Sequence, residues 1–190
     1  MADRNALHVV TGPVRLSYVN VMRPKANTND DGSPAEPTYS VMMIIPKTDK
    51  ATIAAIRRAQ QAALADGAAR GTFQGGAPKA WKNTLRDGDV EGETPELEGA
   101  YFMNVSSKSK PGVVDRRVQP IIDETEIYSG MWARVDIGAF AYNQKGNKGV
   151  SFGLNHIQKV RDDERLDGAT RAEDVFDVWE DEGDEDDSLI

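Results

Sequence analysis

The chain has 190 residues, 39% of them hydrophobic, enough for one modest core and an appendage. It has no cysteine, which excludes disulfides and thiolate chemistry. The formal charge of −8 at pH 7 argues at first against nucleic acid, but its distribution reverses that. Residues 173–190 carry ten acids and no Lys or Arg, and setting them aside leaves 21 acids against 23 bases, a body at +2. The opening MADRNALHVV lacks the layout of a signal peptide, and no apolar run reaches membrane-span length, so a soluble cytoplasmic protein is expected.

In chain order, LHVVTGPVRLSYVNVM (7–22) reads as a long strand with a Gly-Pro interruption, after which Val14, Leu16 and Tyr18 alternate with Arg15 and Ser17. Residues 23–37, with three prolines, read as a loop. TYSVMMII (38–45) reads as a strand buried on both faces. Thr48 or Asp49 then caps a helix to about Asp66, which Gly67 can stop. Residues 67–99 read as a long irregular connection with an apolar island at Trp81 and Leu85.

Three strands follow: 101–107, 131–143 and 149–160, the last two joined by QKGNKG as a hairpin, with Gly146 and Gly149 free to take positive φ. Residues 108–130 connect the first of these to the hairpin and include the apolar stretch VQPII. From Arg161 the chain is polar; 171–180 reads as a short helix and the last ten residues as disordered. Strands dominate and one helix is inserted, which predicts a mainly β protein with an OB-fold-like barrel and long loops rather than a sandwich. The expected division is a domain over 1–168 and an acidic tail over 169–190.

The hairpin carries the main chemical signal. Ala133, Val135, Ile137, Ala139 and Ala141 share one face of its first strand; Trp132, Arg134, Asp136, Phe140 and Tyr142 share the other. Aromatics beside cations on a strand face suit single-stranded nucleic acid, because bases stack on rings and cations meet phosphates. The alternative is a protein-interaction module whose aromatic face binds a protein partner, with the tail as a spacer. Basic pairs adjoin the loops: Arg23 and Lys25, Lys79 and Lys82, Lys108 and Lys110, Arg116 and Arg117, Lys145 and Lys148.

Residues 87–98 place Asp87, Asp89, Glu91, Gly92 and Glu98 at positions of an EF-hand calcium loop. Glu91 stands where Asp or Asn is usual and Pro95 lies inside, which favours a solvated acidic loop over a metal site. P-loop, GxSxG and HExxH signatures are missing, and His8 and His156 lie far apart in sequence. An enzyme is not expected, and no cofactor or metal is implied.

VRLSYVNVMRP, YSVMMIIPKTDK with its following helix, LRDGD, and IYSGMWARVDIGAFAYNQKGNKGVSFGLNHIQKV resemble the single-stranded DNA-binding proteins of tailed bacteriophages. The resemblance covers roughly 7–168 and implies an OB barrel. It also implies largely sequence-independent, non-catalytic binding of single-stranded DNA in phage replication, recombination or repair, in the host-cell cytoplasm. It directs attention to Arg15, Tyr18, Tyr39, Lys108, Lys110, Trp132, Arg134, Phe140, Tyr142, Lys145 and Lys148. Tyr18, on the face of Val14 and Leu16, has a core role as its alternative. The resemblance also implies a tail that competes with DNA and recruits replication or recombination proteins, here with Phe176, Trp179, Asp186, Asp187, Leu189 and Ile190. Family tails often end in an aromatic, whereas this one ends Ser188-Leu189-Ile190. Oligomeric state stays open, a homodimer included.

Overall fold

The computed structural model describes residues 4–170 and 172–179. A short helix α1 (Arg4–Leu7) leads into β1 (His8–Val10), and after the Gly-Pro break the chain enters β2 (Val14–Thr28) and β3 (Pro34–Pro46). Helix α2 (Lys50–Ala69) follows, then the two-residue strands β4 (Lys82–Asn83) and β5 (Arg86–Asp87) and the single turn α3 (Gly88–Glu91). The remainder is β6 (Ala100–Ser107), β7 (Gly112–Val114), β8 (Trp132–Gln144), β9 (Asn147–Arg161) and the short α4 (Ala172–Val175).

Five strands close on themselves in the order β8-β2-β3-β6-β9, with β9 returning to β8. Numbered along the chain and started from β2, the closed order β2-β3-β6-β9-β8 is ring strands one, two, three, five and four, the arrangement of an OB-fold. Strands three and five, β6 and β9, run parallel. The ring is not a regular barrel, because β2 meets β8 over only two residue pairs and β6 meets β9 at one. Its interior is filled by alternate residues, among them Leu16, Met43, Met103, Val135, Ile137 and Phe152.

Helix α2 presents Ile53, Ile56, Ala63 and Leu64 to the same core. Asp49 is its cap, accepting from the Thr52 N–H at 3.1 Å, and the Thr52 hydroxyl in turn accepts from the Gly12 N–H at 2.8 Å. The Gly-Pro interruption is thus where the chain crosses the helix start: a Cβ on Gly12 would lie 2.7 Å from the Asp49 carboxylate.

Three sequence expectations are corrected. Helix α2 runs through Gly67 to Ala69; this glycine is needed for close packing, since a Cβ would lie 2.5 Å from that of Ala141. Much of the expected loop 23–37 is strand. The prolines sit on a projecting arm of β2 and β3 where a missing ladder donor matters little, and the Asn27 amide ties the arm by donating to the Glu36 carbonyl and the Thr38 hydroxyl, each at 2.9 Å. The β8–β9 turn is the two residues Lys145 and Gly146, with φ +50° and +84°, and Gly149 belongs to β9.

Of the stretch 38–45 expected to be buried on both faces, Val41–Ile45 is buried throughout, while Thr38, Tyr39 and Ser40 are half-buried. Val41, Met43 and Ile45 face the ring interior. Met42 and Ile44 face outward under Leu97, Ala100 and Phe102, with Leu166 packed against that cluster. The segment after β9 therefore folds back as a strap over the foot of the ring. No helix among the described residues is long and apolar enough to cross a membrane.

Candidate nucleic-acid interface

The predicted division of β8 holds: Ala133, Val135, Ile137 and Ala139 are buried, while Trp132, Arg134, Asp136, Phe140 and Tyr142 lie on the outer side. Those outer residues have different fates. The Trp132 indole N–H donates to Asp163 at 2.7 Å, and the Arg161 guanidinium lies 4.3 Å from its ring centroid. Arg15 donates to the carbonyls of Gly130 at 3.1 Å and Glu164 at 2.8 Å. Both side chains hold the strap 162–167 in place. Asp163 sits below the usual carboxylate range, first because of the Trp132 hydrogen bond, then the Glu164 N–H and the charges of Arg15 and Arg161.

Higher on the ring the outer face is open. Cross-strand register aligns Asn20 with Ser40, Ser40 with Ser106, Ser106 with Gly153, and Gly153 with Gly138. Directly opposed residues share a face, so a row of small side chains crosses four strand gaps, about 19 Å at roughly 4.8 Å per gap. The floor is unobstructed: a Cβ on Gly138 or Gly153 would meet nothing nearer than 3.9 Å. The row is a shallow trough running across the strands.

Tyr18 stands at one end of the trough, where Asn20 donates to its carbonyl at 3.0 Å. A bulge and φ +48° turn Tyr18 out of the face of Val14 and Leu16, leaving it 65% exposed and outside the core. Phe140, 49% exposed, flanks the far end two residues from Gly138. Lys108 and Lys110 follow the end of β6; Lys108 pairs with Glu36 at 2.7 Å. Lys110 lines a depression of about 490 Å³ with Ser107, Asn155 and His156. Tyr39, opposite Ser107, is half-buried and shares the parity of buried Val41.

Beyond Phe140 the hairpin tip carries Tyr142, Lys145 and Lys148. The Tyr142 ring covers Gly149, whose Cβ would lie 2.6 Å from the phenolic oxygen. Arg134 lies apart from the trough and donates to the Thr11 carbonyl at 3.2 Å. In the tail, Phe176 and Trp179 are exposed, whereas Asp186, Asp187, Leu189 and Ile190 lie outside the described residues.

Two groups that sequence left aside are explained by tertiary contacts. The Lys47 ammonium sits between Asp87 and Asp89, 2.6 Å from each, so these two acids of the loop 87–98, expected to be solvated, are ion-paired. That contact holds the Asp87 carboxyl below its ordinary range; for Asp89 the Gly99 N–H is the larger cause and Lys47 the second. The two histidines, 148 residues apart in sequence, converge on Asp136: His8 contacts its carboxylate, and His156 is its cross-strand partner. The trough residues Ser40, Ser106, Gly138 and Gly153 are not among those the sequence singled out; the available signal was glycine inside a strand, a position that lets another group approach closely.

A five-stranded ring in this order, with an open outer trough, exposed aromatics at its ends and lysines on its rim, defines the class of oligonucleotide-binding folds. The chain belongs to the family described as Enterobacter phage Enc34, ssDNA-binding protein, whose model matches residues 7–189. It is similar to the structure of the single-stranded DNA-binding protein from bacteriophage Enc34 in complex with ssDNA, at 26% identity and TM-score 0.68 over 84% of this chain and 89% of that one. The fold is also that of gp2.5, a single-stranded DNA-binding protein of bacteriophage T7, at 15% identity and TM-score 0.57 over 93% of this chain and 96% of that one. Putative protein p50 of Acyrthosiphon pisum secondary endosymbiont phage 1 is 34% identical over 85 residues, 44% of this chain. That match spans 45% of the relative, so the chain covers less than half of its length.

Proposed function

We propose that this protein binds single-stranded DNA with little dependence on sequence and without catalysis, in phage DNA replication, recombination or repair. The trough Asn20–Ser40–Ser106–Gly153–Gly138 supports this reading most, because a floor of short side chains and glycines lets a strand cross the ring while Tyr18 and Phe140 offer stacking surfaces at its ends. Lys108, Lys110, Tyr142, Lys145 and Lys148 border that path, and Tyr39 backs it from the inner side of β3. Arg15 and Trp132 serve the strap instead.

The body spans 1–168 and the acidic tail 169–190. The tail competes with DNA as a tethered polyanion, and its terminal residues engage replication or recombination proteins. Fluorescence titration of the full chain with mixed-sequence oligonucleotides tests the reading. Binding should weaken with salt at a slope of about −0.7 per neutralised phosphate on log scales. Affinity that does not respond to salt, or no binding to any single strand, would sink it. Removing 173–190 should raise affinity; unchanged affinity would leave the tail without the competing role.

A further inference from the structure

The basic pair Arg116–Arg117 and the apolar stretch after it form a feature of their own. Residues 113–121 make a tight hairpin: the Ile121 N–H donates to Val113 at 3.0 Å, and Val114 bridges to Pro120. At its tip the Asp115 N–H donates to Gln119 at 2.9 Å and the Val118 N–H to Asp115 at 3.0 Å. The Asp115 carboxylate accepts from the N–H groups of Arg117 at 2.8 Å and Gln119 at 2.9 Å. This pinned turn holds Val118 at φ +62°, a position that hairpins usually give to glycine. A β-branched residue there is a true outlier, and such strain collects where a site uses it.

The strain gains Val118 no burial, since it is 65% exposed. Arg116 and Arg117 beside it are exposed, and no side-chain hydrogen bond or ion pair holds them among the described residues. Behind Val118 lies a slot of about 160 Å³, walled by Val10, Val114 and Val118, with Arg134 and Gln158 also lining it. Asp136 and His156 line both this slot and the depression beside Lys110, so the two hollows adjoin at those side chains. The one acid lining both, Asp136, is in contact with His8 and accepts from the Asn155 amide at 3.1 Å.

We propose that the turn 115–119 is a second DNA contact. The strand leaves the trough past Lys110, and one base turns out of the stack into the slot against Val118. Arg116 and Arg117, which precede Val118 in the turn and line the neighbouring depression, hold phosphates next to that base. The inference rests on the single-stranded DNA reading above. A strand of DNA fits this surface because one residue of it supplies both a flat apolar ring for the valines and anionic groups for the guanidiniums.

The test uses the full chain, V118G and R116Q/R117Q, with oligonucleotides carrying 2-aminopurine, whose fluorescence rises on unstacking. Glycine suits φ +62°, so V118G keeps the fold. V118G should remove about half or more of the fluorescence rise while affinity changes by less than about threefold. R116Q/R117Q should make the salt slope shallower by about 1.4, two phosphates at 0.7 each. If wild-type protein binds DNA and both variants match it in slope and fluorescence, this inference falls and the broader reading stands. Variants that leave DNA binding intact but change self-association in sedimentation would assign the slot to a protein partner and overturn the proposal. If wild type binds no single strand, both readings fall together.

Discussion

Trp132 and Phe140 lie eight residues apart on the same outer face of β8, and their surroundings differ completely. Trp132 sits under Arg161 with its indole bonded to Asp163, while Phe140 stands half-exposed beside a floor of glycine and serine. Alternation along a strand separates inside from outside, but it does not separate a free ring from one already covered by another part of the chain. At the foot of the ring the cover is the strap 162–167, and at the trough nothing among the described residues lies over the floor.

Breaking the open region should have the largest effect. Y18A and F140A each remove a stacking surface worth roughly 1–3 kcal/mol, a loss of about 5- to 150-fold in affinity for an oligonucleotide. Anisotropy titration checks this, and wild-type affinity in both variants would move the path away from the trough. Filling the floor should act next. In G138V/G153V two β-branched residues face each other where space is open, so thermal stability is kept, yet the trough closes and affinity falls by about tenfold, ~1.4 kcal/mol. A large fall in Tm with unchanged DNA binding would show that these glycines serve packing.

W132F sharpens the comparison from the other side. It deletes the bond to Asp163, which should cost about 1 kcal/mol of stability, roughly 2–4 °C in Tm for a chain of this size. DNA affinity should stay within about twofold. The smallest effect concerns pH. The Asp163 carboxyl is depressed in the folded protein, so its stabilising contribution is complete above the unfolded value of about 3.9 and is lost as pH falls through the depressed one. W132F removes the main cause, so its Tm should fall less steeply than wild type below about pH 4. Parallel curves would show that the hydrogen bond does not set that carboxyl.

Much of this fold was legible because local chemistry dictated it. The capped helix after Asp49, the doubly buried run Val41–Ile45 and the two faces of β8 follow from periodicity and capping. The arm formed by β2 and β3 was hidden because its strands carry three prolines and are tied by Asn27, a side-chain device with no periodic signature. The candidate site was legible as chemistry and not as place. Tyr18 shares parity with core residues until a bulge turns it out, and a bulge is set by pairing with a distant strand. The trough itself is written in register: Ser40, Ser106, Gly138 and Gly153 become neighbours only when the ring closes. The same distance hides the partner of the acidic loop 87–98, where Lys47, 40 residues upstream of Asp87, makes an ion-pair cluster of acids that read as solvated.

The central claim is that single-stranded DNA crosses the row Asn20–Ser40–Ser106–Gly153–Gly138. Amide chemical-shift mapping of the full-length protein, titrated with a mixed-sequence oligonucleotide, tests it most directly. The account predicts the largest changes at Ser40, Ser106, Gly153 and Gly138, with smaller ones at Lys110. Largest changes at Arg15, Trp132 and Arg161, with the row unmoved, would contradict it.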